Sequence, residues 1–230
     1  AQTRVAEDIA RQFVEFFRDG TIRNAVNLDV RLNPRIAPYA RLADILGQMC
    51  AQIAEDAVQT VEVSCCGHLA REDTRELGYS ALKGLLRHTT EQPVTLVNAP
   101  LLAEARGIEL IENNRERSPN YANLVSVRVV TARGEHTVAG TCFDGREARI
   151  VCIESFFVDV KPAELLLLMF YPDRPGMIGT FGSILGAADI NIANMAVGRR
   201  EKRGRAAVVL TVDEPVAESG LARIRSAVGV

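Results

Sequence analysis

The chain has almost no net charge, few histidines and no long apolar run. Its 230 residues carry 27 lysines and arginines against 29 aspartates and glutamates, a formal charge of −2. No field that would gather nucleic acid follows from that balance. No stretch of about 20 apolar residues occurs, so no membrane-spanning helix is expected, and no signal-peptide pattern opens the chain. The five cysteines, Cys50, Cys65, Cys66, Cys142 and Cys152, form no CxxC pair. An odd number without a framework points to reduced thiols and a cytoplasmic protein. His68, His88 and His136 lack ligand spacing, so no metal site is expected. No GxGxxG follows a predicted strand, and no Ser/His/Asp or Cys/His constellation can be assembled. No catalytic residue is assigned.

What is present reads as an α+β chain. Residues 1–19 repeat apolar side chains at helical spacing (Val5, Ile9, Phe13, Phe16, Phe17) and stop at Asp19 and Gly20. Thr21–Asn33 reads as extended, and a boundary is placed before Pro34. Helices are predicted over Pro38–Ala54, Thr74–His88 and Ala99–Arg106, and strands over Val58–Cys65, Val94–Val97 and Ile108–Glu112. Leu124–Ala132 and Glu135–Phe143 flank Arg133-Gly134 as a hairpin. Glu147–Val160 reads as one long strand, with or without a bulge. Three units result: 1–33, the end of a helix and a linker; 34–160, an α/β-sandwich-like domain; and 161–230, a smaller module.

The most informative segment is Tyr171–Gly179 (YPDRPGMIG), followed by Asp189–Ile192 (DINI). Leu165–Phe170 is a short apolar run between Pro162 and Pro172, hence a buried strand. Pro175-Gly176 marks a turn into a helix, with Pro175 suited to its first turn. Asp173 stands at the strand exit, and Asn191 is expected to return to the same rim one helix later. A carboxylate for an ammonium, with an amide and helix N–H groups for a carboxylate, suits a small zwitterion. Gly179, Gly182 and Gly186 gather on one helix face away from Ile178, Phe181 and Leu185. Each glycine costs roughly 0.5–1 kcal/mol against alanine, so a bare face points to another backbone packed close.

Asp173–Gly176 and Asn191–Ile192 resemble the ACT domain, a ferredoxin-like βαββαβ regulatory module. Arg205–Val212 as strand and Val216–Val228 as helix agree, and the pattern calls for one more strand where the sequence ends. Asp19–Asn27 (DGTIRNAVN), Ser80–Leu85 (SALKGL), Val94–Pro100 (VTLVNAP) and Ser118–Asn120 (SPN) extend the resemblance over nearly the whole chain. Together they resemble the C-terminal half of a long-form D-3-phosphoglycerate dehydrogenase: an intervening allosteric substrate-binding domain, then an ACT domain.

The resemblance implies an NAD-dependent oxidoreductase of L-serine biosynthesis. Its catalytic Arg, Glu and His lie upstream of residue 1, so this chain binds no NAD itself. It implies a homodimer or homotetramer in which L-serine, or a similar small amino acid, sits between two ACT domains. Tyr171 and Asp173 would come from one subunit and Asn191 from the other. It also implies a second anion site at the domain junction, where the matching positions are Arg149 and Lys161, although Phe156 and Phe157 replace more polar residues. Arg115 and Arg117 are weaker anion candidates. Two other readings are the β part of an iron–sulfur L-serine dehydratase, which expects an SSSHT-like motif missing here, and a free-standing ACT-type sensor.

Overall fold

The computed structural model describes residues 2–19, 33–87, 89–90, 92–118 and 120–229. The first helix, α1 (Gln2–Asp19), follows its predicted limits, with Val5, Ile9 and Phe13 exposed. The expected extended stretch up to Asn33 lies almost wholly outside the described residues. From there α2 (Ala37–Ile53), β1 (Val58–Gly67), a 3-10 turn (His68–Arg71), α3 (Arg75–Leu86), α4 (Ala99–Ala105) and β2 (Glu109–Arg115) follow. Then come β3 (Asn123–Thr131), β4 (Glu135–Phe143), β5 (Glu147–Ile153) and β6 (Phe156–Val160). These six strands form one sheet in the order β2-β1-β3-β4-β5-β6, parallel only between β1 and β2.

Alternation decides which face is covered. Val61, Val63 and Cys65 of β1, and Val125, Val127 and Val129 of β3, point into the core. There they meet Leu42, Leu46 and Cys50 of α2 and Leu77, Ala81 and Leu85 of α3. The other face is polar. Glu62 accepts from Arg128 and from Asn113 Nδ2 (2.7 Å), and the Arg128 guanidinium holds its carboxyl below the usual value. Two glycines let α2 and α3 touch through their backbones. A Cβ on Gly47 would stand 2.1 Å from Ala81 O, and one on Gly84 would stand 1.9 Å from Asp44 O.

The smaller module comprises β7 (Leu166–Pro172), α5 (Met177–Gly186), β8 (Ile192–Arg199), β9 (Arg205–Val212) and α6 (Glu218–Val228). Its antiparallel sheet has the order β7-β9-β8. These are five elements of a βαββαβ pattern; no strand follows α6 among the described residues. One face of this sheet (Met169, Tyr171, Leu210, Val212) packs on Phe181 and Leu185 of α5 and Ile224 of α6. The opposite face (Leu166, Leu168, Phe170, Ala196, Val209) joins the core of the first domain. Gly198 of β8 comes so close to β6 that a Cβ would lie 2.5 Å from Phe157 O.

Three sequence expectations are corrected. Val94–Val97 is not a strand: Asn98 Oδ1 accepts from Thr95 N (2.7 Å) and Thr95 Oγ1 (3.1 Å), which folds the segment into a turn before α4. Glu147–Val160 is two strands, because Glu154 takes a left-handed conformation (φ 55°) and reverses the chain so that Cys152 pairs with Phe157. Pro175 also precedes α5 and does not lie in its first turn; Gly176 (φ 90°) leads into the helix. His136 is half-buried and meets Glu154 at 3.0 Å; His88 lies outside the described residues.

The five thiols are free, and burial pushes Cys50 and Cys65 up to about 12 and Cys142 up to about 11. Glu76, in the first turn of α3, is 5% exposed and its Oε2 has no hydrogen-bond partner. Burial raises its pKa, with a smaller push from Asp73, while the Asn33 backbone opposes.

Two outcomes are expected. Gly84→Ala must push α2 from α3 and should lower unfolding free energy by about 1–3 kcal/mol in urea denaturation; an unchanged midpoint would refute the close approach. The raised Glu76 pKa means the native carboxyl binds its proton more tightly than the unfolded one. Stability should therefore fall as pH rises from 4.5, the ordinary value, through the native one. In Glu76→Gln that decline should be reduced, and stability at pH 7 should be higher; an identical pH profile would contradict the assignment.

Candidate ligand-binding site

β7 ends at Pro172, and the chain turns at Asp173 towards α5. Asp173 is fixed by the β8–β9 hairpin: its N–H donates to Gly204 O (2.8 Å), and its Oδ2 accepts from Arg203 N (3.3 Å) and Arg199 Nη1 (3.4 Å). The carboxylate is 23% exposed, so one side remains open. The first-turn N–H groups of α5, which a helix leaves without intrahelical acceptors, begin a few residues on. Tyr171 is buried, 3% exposed, with Phe181 edge-on at 5.2 Å. Burial, then the nearby Asp173 charge, holds its phenol above the usual value, and Arg199 opposes. Tyr171 is thus the floor beneath the Asp173 turn.

Arg199 is the residue that the sequence reading missed. It lies at the end of β8, opposite Ala206, and adds a guanidinium to a corner expected to hold only a carboxylate and amides. The signal was the basic run Arg199–Arg205 (RREKRGR). It was hidden because only the hairpin brings that run to Asp173.

Asn191 lies elsewhere in the chain. Pro172 pairs with Arg205, while Ile192 pairs with Val212. β7 and β8 therefore run parallel on either side of β9, and Asp173 and Asn191 sit at opposite ends of the sheet. Seven residues of β9 separate them, roughly 24 Å at 3.4 Å per residue. The expected shared rim does not form within one chain. Asn191 Nδ2 donates to Asp213 Oδ2 (2.7 Å).

The structure brings Arg149 and Lys161 together around one carboxylate. Glu147 Oε1 lies 3.0 Å from Arg149 Nη2 and 3.6 Å from Lys161 Nζ, and Asp159 is 3.8 Å from Arg149 Nη1. Arg149 also lies 5.7 Å from the centroid of the Phe143 ring. Two cations and two anions sum to zero, and Arg149 Nε is buried with no hydrogen-bond partner among the described residues. The candidates Arg115 and Arg117 are both exposed.

The outer surface of the module is open along β8 and α5. β8 is an edge strand, and Met195 (43%) and Val197 (47%) are exposed on its helix-side face, as Ile178 (36%) is on α5. A Cβ placed on Gly179, Gly182 or Gly186 would meet nothing within 4 Å. The glycine stripe therefore does not serve tight internal packing.

Comparison with known proteins agrees with this architecture. The family described as the D-3-phosphoglycerate dehydrogenase intervening domain matches residues 35–154. The chain belongs to that family. An ACT domain match follows over residues 165–229. The chain is similar to the D-3-phosphoglycerate dehydrogenase of Synechocystis sp., at 33% identity over 100% of this chain and 42% of that protein. The enzyme of Bacillus subtilis is 33% identical over 93% of the chain and 41% of its own length. That of Archaeoglobus fulgidus is 34% identical over 94% and 42%. The chain thus spans less than half the length of these relatives, corresponding to their C-terminal part. Gly179, Gly182 and Gly186 lie within α5 and not in a strand-to-helix loop. No described helix is long and apolar enough to cross a membrane.

Proposed function

We propose that this chain is the regulatory portion of an NAD-dependent D-3-phosphoglycerate dehydrogenase and that it senses L-serine, or a similarly small amino acid, between two paired ACT domains. The reading rests on one observation: Asp173 and Asn191 lie at opposite ends of a sheet whose β8 edge and α5 glycine face are open. Antiparallel pairing of two β8 edges about a two-fold axis sets the Ile192 end of one copy against the Arg199 end of the other. Asn191 of a second copy then approaches the Asp173–Arg199 corner, and each pair of subunits gains two equivalent sites. Pairing also covers Met195 and Val197 and removes an unpaired edge.

The chemistry follows from the groups present. Asp173 takes the ligand's ammonium. Its carboxylate is met by Arg199, by the α5 amides and by the Asn191 amide of the second copy. Because Arg199 already leans on Asp173, a zwitterion inserts between them and keeps the corner's charge unchanged. Ligand binding favours whichever subunit arrangement holds both halves of the site, by its differential affinity, typically about 1–3 kcal/mol. The ACT sheet is packed on the intervening domain, so the shift passes through β6, the Pro162 link and β7 to the rest of the enzyme. We assign the oxidation of D-3-phosphoglycerate with NAD to the longer enzyme, a cytoplasmic homodimer or homotetramer.

Calorimetry tests the sensing role: the chain should bind L-serine, and Asp173→Ala should weaken it roughly tenfold or more with unchanged thermal unfolding. A flat titration at millimolar serine with a dimeric chain would remove the claim. Sedimentation tests the pairing. Gly182→Leu places a side chain on the open α5 face and should convert dimer to monomer, with loss of serine binding. A dimer that survives, or a wild-type chain that is monomeric with serine present, contradicts the shared site.

A further inference from the structure

The first domain holds a recess far in sequence from the ACT corner. β1 ends at Gly67 (φ 84°), where a Cβ would stand 2.0 Å from Ala122 O; only glycine lets the strand leave so close to the returning chain. This close approach, with His68 N donating to Ala122 O (3.4 Å), joins the 3-10 turn after β1 to the segment entering β3. The result is a concavity of about 290 Å³ lined by His68, Arg71, Glu116, Arg117, Ser118 and Tyr121.

Its charge is unbalanced, unlike that around Arg149 and Lys161. Arg71 meets Glu116 at 3.7 Å, with both side chains largely exposed. Arg117 has no carboxylate partner among the described residues, and His68 adds an imidazole. Two guanidiniums therefore face one loosely held carboxylate. The Ser118 hydroxyl is shielded from solvent and has no hydrogen-bond partner, and Tyr121 brings a second hydroxyl. Guanidinium forks, hydroxyls and a small concavity match an oxyanion such as phosphate better than an apolar group.

We propose that this recess binds a phosphate group, carried by inorganic phosphate or by a small phosphomonoester, with Arg71 and Arg117 as its principal ligands and Ser118 satisfied on binding. The volume exceeds that of a bare phosphate, which leaves room for a short ester. The site is separate from the amino-acid corner and does not depend on subunit pairing.

Titration of the chain with inorganic phosphate, and in parallel with glycerol 3-phosphate, at low ionic strength tests this. Saturable binding is expected, weakened by added salt. Arg71→Ser and Arg117→Ser should each weaken it roughly tenfold, and Glu116→Gln should tighten it. Arg149→Ser, which alters the other cationic cluster, should leave it unchanged. Tighter binding of the ester identifies a phosphorylated metabolite as the ligand; equal or weaker binding identifies free phosphate. Arg71, Glu116 and Arg117 are exposed and Arg149 is half-buried; an unchanged melting temperature establishes that each variant is folded. Absence of phosphate binding in both wild type and Glu116→Gln overturns the proposal. So does binding that is lost in Arg149→Ser but intact in the Arg71 and Arg117 variants.

Discussion

Both faces of the β7-β9-β8 sheet are largely covered inside the chain, except along β8. α5 and α6 cover one, and the first domain covers the other through Leu166, Leu168, Phe170 and Val209. A small three-stranded sheet has little apolar area to spare, and burial on both sides is what holds so short a module in a defined position. Its remaining freedom is restricted to its edges and to the outer face of α5. The surface open for association is therefore fixed by what the internal packing leaves over: the β8 edge, Met195, Val197 and the glycine stripe.

The same constraint gives the Asp173–Arg199 corner its character. Tyr171 is drawn into the helix-side core edge-on to Phe181, with the Asp173 and Arg199 charges acting on its phenol. What faces outward is Asp173, steered by a hairpin whose basic run supplies a counter-charge. A carboxylate and a guanidinium already in contact form a preorganised pair of opposite signs, suited to a ligand that carries both signs itself. The Glu147 cluster shows a contrasting case: its two cations meet two local acids, and Arg149 Nε stays without a partner among the described residues.

Much of this was legible in the sequence, for identifiable reasons. The β3–β4 hairpin, β9, α3 and the turn at Asp173 follow from periodicity and from glycine and proline punctuation, which act locally. The misreadings arose where a side chain did the work of a turn residue. Glu154 reverses the chain with no glycine, proline or asparagine in EARIVCIESFFVDV to announce it. Asn98 folds back the β-branched run VTLV by capturing Thr95. The relative placement of Asp173 and Asn191 was not readable from their spacing. It depends on β9 inserting between β7 and β8, a fact of sheet order. The Arg199–Asp173 contact was hidden for the same reason.

The burial of Cys50, Cys65 and Cys142 has a chemical consequence of its own. With thiols pushed to about 11 or 12, roughly one molecule in ten thousand or fewer carries the reactive thiolate at these positions near neutral pH. Oxidants and alkylating reagents act on that anion, so these sulfurs are nearly inert while the sheet is intact and become reactive only on unfolding. Their modification by an added electrophile would therefore report opening of the intervening domain's core.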